Sequence, residues 1–242
     1  FSGCTYISQG VLIDSDRHAQ VAAADSFGDS AARVVYPDQN WSGADSLWFY
    51  NVSQGSNLIP YQLFLHLELP ESDVLFRSDS NMNRLRYLPQ RASVSNPDGL
   101  PVGWVRDKHS GKDYVGFTCA ACHTSQINYQ GVGIRIDGGA ALADMEQMLK
   151  GLSAALNASL ENPEKFDRLA KKVLEKKYPA DKEIFRTELA GAAQQIASYN
   201  HINEPRHGDQ SVAYGYARLD AFGRIYNRIL AHLTPKEDNF NP

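Results

Sequence analysis

Cys119, Cys122 and His123 are the residues whose types and spacing are best suited to chemistry. They form the pentapeptide Cys-Ala-Ala-Cys-His in a chain that has only one other cysteine, Cys4. Three kinds of site use such residues: a structural zinc site, a redox-active dithiol and a covalent haem attachment site. Each makes different demands on the residues around it.

The zinc and dithiol interpretations each leave part of the pentapeptide unexplained. A structural zinc site takes four ligands, usually from two paired clusters, whereas this cysteine pair stands alone and Cys4 is remote. Adjacent residues such as Cys122 and His123 also seldom bind one tetrahedral ion. A thioredoxin-like dithiol follows a strand in a βαβ pattern, and no such pattern surrounds the motif.

Covalent attachment of haem c uses every residue of the motif. Thiols at positions i and i+3 lie on one face of a helical turn, so both can form thioethers with the haem vinyl groups. His123 can then bind the iron through its neutral imidazole. Random placement of this chain's cysteines and histidines would give the pentapeptide in about one chain in a thousand. The sequence therefore predicts one haem c, attached at Cys119 and Cys122, with His123 as the iron ligand.

The motif also predicts the compartment. Haem c is attached on the outer side of the bacterial cytoplasmic membrane, so a periplasmic or secreted location is expected. The first residues, "FSGC", are similar to the end of a lipoprotein signal, in which a small residue precedes an acylated cysteine. Phe1 matches such a signal poorly, so an unmodified or disulfide-bonded Cys4 is favoured over a lipid anchor.

Composition limits the remaining function classes. The chain has 242 residues, 43 % of them hydrophobic and 21 % charged, which is ordinary for a globular protein with a packed core. The net charge is −4 and there is no basic stripe, so nucleic acid is not an expected partner. No apolar run is long enough to span a membrane. Three cysteines cannot form a disulfide framework, so a core or a bound group must hold the fold.

The elements that would position the motif are predicted to be mainly α-helical. Residues 1–57 are predicted as an irregular segment packing on a haem domain, which takes up residues 58–242 with its helical extension. The fold class expected is a mainly α c-type cytochrome domain with long loops, a short β-hairpin and additional C-terminal helices. Helices are predicted over about 57–70, 141–160, 162–178, 182–199 and 213–233, loops over 78–113, and a hairpin over 127–137 that turns at Gln130-Gly131.

Four segments resemble the bacterial di-haem cytochrome c peroxidase superfamily. They are "WFYNVSQGSNLIPYQLFLHLEL", "NPDGLPVGWVRD", "YVGFTCAACHTSQINYQGVGIRIDGG" and "YARLDAFGRIYNRI". The likeness is greatest to the branch of large proteins that includes haem-dependent rubber oxygenases and fatty-acid dioxygenases. Members carry two haems, each with its own motif in its own domain. Because this chain has one motif, the resemblance implies an amino-terminal haem half whose second haem c lies in a missing half or a partner chain.

The resemblance also implies roles for particular residues. In classical di-haem peroxidases a distal histidine follows the first motif closely, but here the next histidine is His201. In the oxygenase branch the distal face of the first haem is lined by phenylalanine, and Phe222 of "RLDAFGRIYNR" would be that residue, with ordinary helix core as the alternative. Arg135, Arg218 and Arg224 are candidates to bind the haem propionates, with a solvated surface role as the alternative for each.

The sixth iron ligand decides between catalysis and electron transfer. Met145 and Met148 are candidates, although core packing of this pair is favoured. The expected function is oxygenation or cleavage of an unsaturated apolar substrate by dioxygen, with hydrogen peroxide reduction and electron transfer by a closed six-coordinate haem as alternatives. The other candidate ligands are His18, His66, His109, His201, His207 and His232.

Overall fold

Strands and short helices are interspersed up to Asp137, and every described element from Met145 onward is helical. The structure is a computed structural model that describes residues 12–13, 17–22, 30–204, 213–218 and 221–234. Helices account for 45 % of it and strands for 17 %, so the fold is mixed α/β and the prediction of a mainly α fold was wrong. The prediction failed because most strands lie in polar, glycine- and proline-rich segments, in which hydrophobic alternation is weak.

The described residues contain seven strands and seven helices. The strands are β1 (Leu12–Ile13), β2 (Arg33–Pro37), β3 (Ile59–Pro60), β4 (Trp104–His109), β5 (Lys112–Phe117), β6 (Thr124–Tyr129) and β7 (Val132–Asp137). The helices are α1 (Gly43–Asn51), α2 (Tyr61–His66), α3 (Asp79–Arg84), α4 (Met145–Glu161), α5 (Pro163–Leu174), α6 (Lys182–Asn203) and α7 (Ala221–Leu233). None of the described helices is both long enough and apolar enough to cross a membrane.

The contacts divide the chain into two compact units. The first takes in the described residues up to Tyr61 together with Arg77–Ala143, and the second takes in Gln62–Phe76 and the described residues from Asp144 onward. The predicted division after residue 57 falls inside the first unit. Within residues 1–57, the strand β2 and the helix α1 occupy stretches that were predicted as irregular.

The first unit contains two small sheets. One has the strand order β1-β2-β7-β6, in which β2 and β7 are parallel and the other neighbours are antiparallel. The other has the order β3-β5-β4 and is antiparallel throughout. The β5 strand leads into the Cys-Ala-Ala-Cys-His motif and β6 leads out of it, so each sheet holds one end of the motif.

The hairpin formed by β6 and β7 confirms a sequence prediction. Its turn residues, Gln130 and Gly131, have φ values of 48° and 76°. Two consecutive positive φ values make a type I′ turn, whose twist matches that of the flanking strands. The Ile127 and Ile134 side chains pair across the hairpin.

A second hairpin, formed by β4 and β5, lies where loops were predicted. Its turn residues, Ser110 and Gly111, have φ values of 49° and 79°. The residues on either side of this turn are mostly polar or charged, as in "RDKHSGKD", so the sequence shows no alternating pattern there. The strands form because β5 also pairs with β3, which is a contact distant in sequence.

Helices build the second unit. Most of its buried side chains come from α4, α5 and α6 and include Met148, Leu152, Phe166, Phe185 and Leu189. The predicted start of α5 is confirmed, because the Asn162 side chain accepts hydrogen bonds from two backbone N–H groups and Pro163 is the first helical residue.

Four helices are shorter than predicted. The helix α4 begins at Met145 instead of residue 141, and α5 ends at Leu174 instead of residue 178. The helix α2 ends at His66, after which Glu68 and Leu75 form an isolated β-bridge in place of the predicted continuation to Pro70. The helix α7 begins at Ala221, and residues 213–218 are irregular.

Candidate functional site

The motif folds into one tight turn that begins directly after β5. Residues Cys119–Ala121 form a 3₁₀ helix, and the Thr118 hydroxyl caps it by accepting a hydrogen bond from the Ala120 N–H at 3.1 Å. The N–H groups of Cys122 and His123 both donate to the Cys119 carbonyl, at 3.2 and 2.9 Å. The two cysteines and the histidine are therefore held on a single hydrogen-bonded turn.

The turn presents its chemical groups outward and its alanines inward. Cys119 and His123 are exposed and Cys122 is half-buried, whereas Ala120 and Ala121 are buried. No disulfide joins the two cysteines. Among the described residues, no group of three or more His, Cys, Asp or Glu side chains is arranged to hold a metal ion. The arrangement suits attachment of a group lying against the surface of the turn better than enclosure of a single ion.

Gly103 packs against the inner, buried side of the turn. Its φ is +81°, and a Cβ at this position would lie 2.0 Å from the Ala121 nitrogen and 2.4 Å from the Ala121 Cα. The Gly103 carbonyl also accepts a hydrogen bond from the Thr118 N–H at 2.8 Å. Only glycine combines this left-handed backbone with so close an approach. The position of the motif therefore depends on a residue 16 positions before Cys119.

The C-terminal end of the motif is held by the strand that follows it and by the chain beyond β7. The Gly138 N–H donates to the His123 carbonyl at 2.7 Å, and the Ala141 N–H donates to the Cys122 carbonyl at 2.9 Å. The main chain of His123 thus continues the β6–β7 ladder by one hydrogen bond. The His123 imidazole makes no hydrogen bond to any described residue and is left available as a ligand.

An apolar strip follows His123 along the hairpin. Exposure alternates along this segment: His123, Ile127 and Tyr129 are exposed, with 56 % of Ile127 and 52 % of Tyr129 accessible, while Thr124 is buried. Side chains two residues apart in a strand point to the same face. The exposed apolar residues Ile127 and Tyr129 therefore lie farther along the hairpin, with the half-buried Ser125 between them and His123.

A buried polar cluster lies behind the motif and centres on Asp137. Its carboxylate accepts hydrogen bonds from Arg17 at 2.9 Å, from Ser46 at 2.7 Å and from the Tyr50 hydroxyl. Gln39 bonds both the N–H and the carbonyl of Asp137, at 3.1 and 2.8 Å. Burial raises the pKa of Tyr50 far above its usual range, so this hydroxyl keeps its proton and remains a donor.

Arg135 lies in the same strand as Asp137 and is fully buried. Its guanidinium donates to the Gln126 side chain at 3.0 and 3.2 Å and to the carbonyls of Pro89 and Gln20 at 3.4 and 3.5 Å. No carboxylate of the described residues pairs with it. The predicted role of Arg135 in binding a propionate stays a prediction.

The other predicted site residues lie in the second unit. Arg224 is buried, with its guanidinium 5.4 Å from the ring centre of Tyr214 and 5.9 Å from that of Tyr199. Arg218 is exposed. Phe222 is 78 % exposed at the start of α7, so it is not part of that unit's core. Its predicted distal role and the propionate roles of these arginines stay predictions.

The candidate sixth ligands fall in both units. In the first unit, His109 is the last residue of β4. The first residue of that strand pairs with Phe117, which stands just before the motif, so His109 lies five residues, or about 17 Å, away along the strand. In the second unit, Met148 is fully buried in the core, which agrees with the packing role favoured for it. His18 belongs to the first unit, and His66, His201 and His232 belong to the second. Phe1, Cys4 and His207 lie outside the described residues.

Gly103 and Asp137 are site residues that the sequence did not single out. Gly103 carried a signal, because it stands in "LPVGWV" between apolar residues, where an isolated glycine often marks a close backbone approach. Asp137 carried none, because an aspartate at the end of a predicted strand normally faces solvent.

The chain is similar in sequence to part of a longer bacterial protein. No family model and no solved structure matches the chain. It is similar to uncharacterized protein y4iJ of Sinorhizobium fredii (strain NBRC 101917 / NGR234), with 29 % identity over 234 residues. The match covers 86 % of this chain and 38 % of that relative, so the chain spans well under half of the relative's length.

Proposed function

We propose that this chain is a c-type haem domain of an oxidoreductase, in which Cys119 and Cys122 hold the haem covalently and His123 binds its iron. The observation that best supports this proposal is the hydrogen-bonded turn. It exposes Cys119 and His123, while the two buried alanines of the motif and Gly103 pack on its inner side. Each thiol would add its S–H across one vinyl double bond, giving a thioether without any external oxidant or reductant. The bound haem would supply an iron centre able to exchange one electron and to bind small ligands.

The chain's own residues hold the ligand main chain in place before the iron is bound. Hydrogen bonds from Gly138 and Ala141 fix the backbone of His123 and Cys122, and the absence of a side chain at Gly103 lets the turn pack directly against the backbone there. A site whose backbone is fixed in advance loses little conformational freedom on binding its cofactor. Arg135 would neutralise a propionate at the buried edge of the haem.

The reaction we favour is the addition of dioxygen to an unsaturated apolar substrate, or its oxidative cleavage. The His123 imidazole makes no hydrogen bond to any described residue. A hydrogen bond from a ligating imidazole to a carboxylate or carbonyl makes the imidazole a more basic ligand. His123 without such a bond would be a less basic ligand, which we take to support dioxygen addition over peroxide reduction. Electron transfer by a six-coordinate haem is the non-enzymatic alternative.

A periplasmic or secreted location follows from the proposed haem attachment, and we expect a partner that carries a second haem c. The partner would be the part of a longer protein that this chain does not include, since the similar protein y4iJ is far longer than the match. The helix α7 supports such a contact. It exposes Phe222, Ile225, Tyr226, Ile229 and Leu233 and buries Gly223, Arg224 and Asn227, which is the reverse of an ordinary surface helix.

Expression together with a haem c maturation system tests the first proposal. The wild-type chain should carry one covalent haem, seen by intact mass and by haem staining after denaturing electrophoresis. Cys119→Ala and Cys122→Ala should each lose one thioether, and the double variant should lose all covalent haem. Cys4→Ala is the matched control and should load normally. Full covalent loading of the double variant would contradict the proposal.

Spectroscopy and oxygen uptake test the reaction. Cyanide should bind the ferric protein and change its optical and EPR spectra, and His123→Ala should abolish the native spectrum. Oxygen consumption with an unsaturated fatty acid or polyisoprene is expected. Peroxide consumption with a reduced cytochrome, in the absence of such uptake, would favour the peroxidase alternative. Low-spin iron that is unchanged by cyanide would contradict both enzymatic functions.

A further inference from the structure

Asp137 brings distant segments of the first unit together at one carboxylate. Its side chain is completely buried and that of Arg17 is 2 % exposed, and the two are joined by a 2.9 Å ion pair. Ser46 and Tyr50, both on α1, supply two further donors. A buried carboxylate with three donors is fully satisfied and is held in one orientation.

This cluster contacts the motif turn from two directions. Asp137 is paired across the ladder with Thr124, the residue directly after His123, and Gly138 donates its N–H to the His123 carbonyl. Tyr50 belongs to the same buried apolar cluster as Ala120, one of the two alanines inside the motif. A substitution at Asp137 would therefore affect the motif through two sets of contacts, the β6–β7 pairing and the packing of α1.

Stability alone does not explain an ion pair at this place. Removing two charges from water is costly, and well-packed apolar residues often stabilise a core as well as a buried ion pair does. A buried charge does, however, act on its surroundings with little screening by water. Because Arg17 and Asp137 cancel one another, the field at His123 depends on the presence of both.

We propose that the Arg17–Asp137 pair is a positioning element of the His123 site, and that its balanced buried charges set the reduction potential of the iron that His123 binds. This inference rests on the proposed haem function. The process affected is the one-electron reduction of ferric to ferrous iron, which lowers the charge of the site by one unit. A buried negative charge near the iron opposes that reduction, and a buried positive charge favours it.

Three variants separate the electrostatic effect from a structural one. Asp137→Asn keeps the shape and leaves Arg17 uncompensated, so the midpoint potential should rise. Arg17→Gln leaves the carboxylate uncompensated, so the midpoint potential should fall. The double variant restores the charge balance and should return close to the wild-type potential, although it still lacks the ion pair. Spectroelectrochemical titration of each purified haem protein measures these shifts.

Two further variants keep the test decisive. Tyr50→Phe removes one donor to Asp137 while keeping the ring against Ala120, and it should shift the potential downward less than Arg17→Gln does. Glu68→Gln breaks an ion-pair cluster in the second unit and should leave the potential unchanged. Shifts of the same sign in Asp137→Asn and Arg17→Gln would overturn the inference and would indicate that the pair acts through the fold alone.

The failure of this inference can be distinguished from failure of the proposed function. A wild-type chain without covalent haem would overturn the proposed function and this inference together. A loaded chain whose potential is the same in all five variants would overturn only the inference.

Discussion

Gly103 and Ala121 are packed so closely that a single added methyl group at Gly103 would lie 2.0 Å from the Ala121 nitrogen. This contact joins the start of β4 to the middle of the motif, two segments that are separate in sequence. Neither backbone can move away freely, because the Thr118 N–H already bonds the Gly103 carbonyl. The geometry of the motif is therefore set as much by Gly103 as by the cysteines.

Gly103→Ala should displace the motif turn and destabilise the first unit. The positive φ alone costs about 1–2 kcal/mol for a residue with a Cβ, and forcing extra atoms into packed structure adds about 1–3 kcal/mol. We expect a total loss of about 2–5 kcal/mol in the free energy of unfolding. In the haem-free Cys4→Ala background, Cys122 should also react with a thiol reagent several-fold faster.

Gly111→Ala is the matched control for that variant. Gly111 has a φ of +79°, against +81° for Gly103, but a Cβ there would meet nothing within 4 Å. It should lose only the backbone contribution of about 1–2 kcal/mol and leave the thiol reactivity unchanged. Equal losses for the two variants would show that the contact with Ala121 contributes nothing.

Gln130→Asn should stabilise the hairpin that follows His123. Gln130 has a φ of 48° at the first position of a type I′ turn, where asparagine is much better tolerated than glutamine. We expect a gain of about 0.5 kcal/mol, measured by chemical denaturation. Gln126→Asn, in the adjacent strand, draws the amide oxygen that accepts from Arg135 back by one methylene group and should instead destabilise the unit. A loss of stability in Gln130→Asn would contradict the assigned turn.

Elements with a local cause could be predicted from the sequence. The β6–β7 hairpin follows from β-forming residues around Gln130-Gly131, and α5 starts where Asn162 can cap and Pro163 can begin a helix. The motif itself is local too, since its chemistry depends on five consecutive residues. For these features the neighbouring residues contain all the information that decides the structure.

Elements with a distant cause could not be predicted. The β4–β5 hairpin owes its position to pairing with β3, and the buried state of Asp137 depends on Arg17, which is 120 residues away. A polar residue that is buried by tertiary contacts looks like a surface residue in the sequence. For this reason the predicted fold class was wrong, and the residues that support the motif from other segments were not predicted.

Glu68→Gln should make the second unit less stable at neutral pH and remove part of its acid sensitivity. Hydrogen bonds from Arg168, at 2.7 and 2.8 Å, together with the nearby amine of Lys165, hold the pKa of Glu68 below its usual range. A carboxyl group with a lowered pKa stabilises the fold above its unfolded pKa and loses this contribution as the pH falls. The loss at pH 7 should be about 1 kcal/mol, because Arg168 is half exposed.

The measurement is the free energy of unfolding between pH 7 and pH 3. The difference between wild type and Glu68→Gln should begin to shrink below about pH 5 and should be smallest at pH 3. Glu71→Gln, at an exposed position three residues away, is the control and should match wild type throughout. A difference that stays constant with pH would show that the ionised carboxylate is not the stabilising group.

Ile229→Glu tests whether the apolar face of α7 is free in this chain. Ile229 is 45 % exposed, whereas Asn227 is 2 % exposed and bonds the Asn203 side chain at 3.2 Å. A surface substitution usually changes the free energy of unfolding by no more than about 0.5 kcal/mol, so Ile229→Glu should be nearly neutral and should lower the binding of a hydrophobic dye. Asn227→Ala should cost about 1–2 kcal/mol, because it leaves a polar group unbonded between two helices. If Ile229→Glu proved the more damaging of the two, the apolar face would already be covered within this chain, and α7 could not be the surface on which a partner packs.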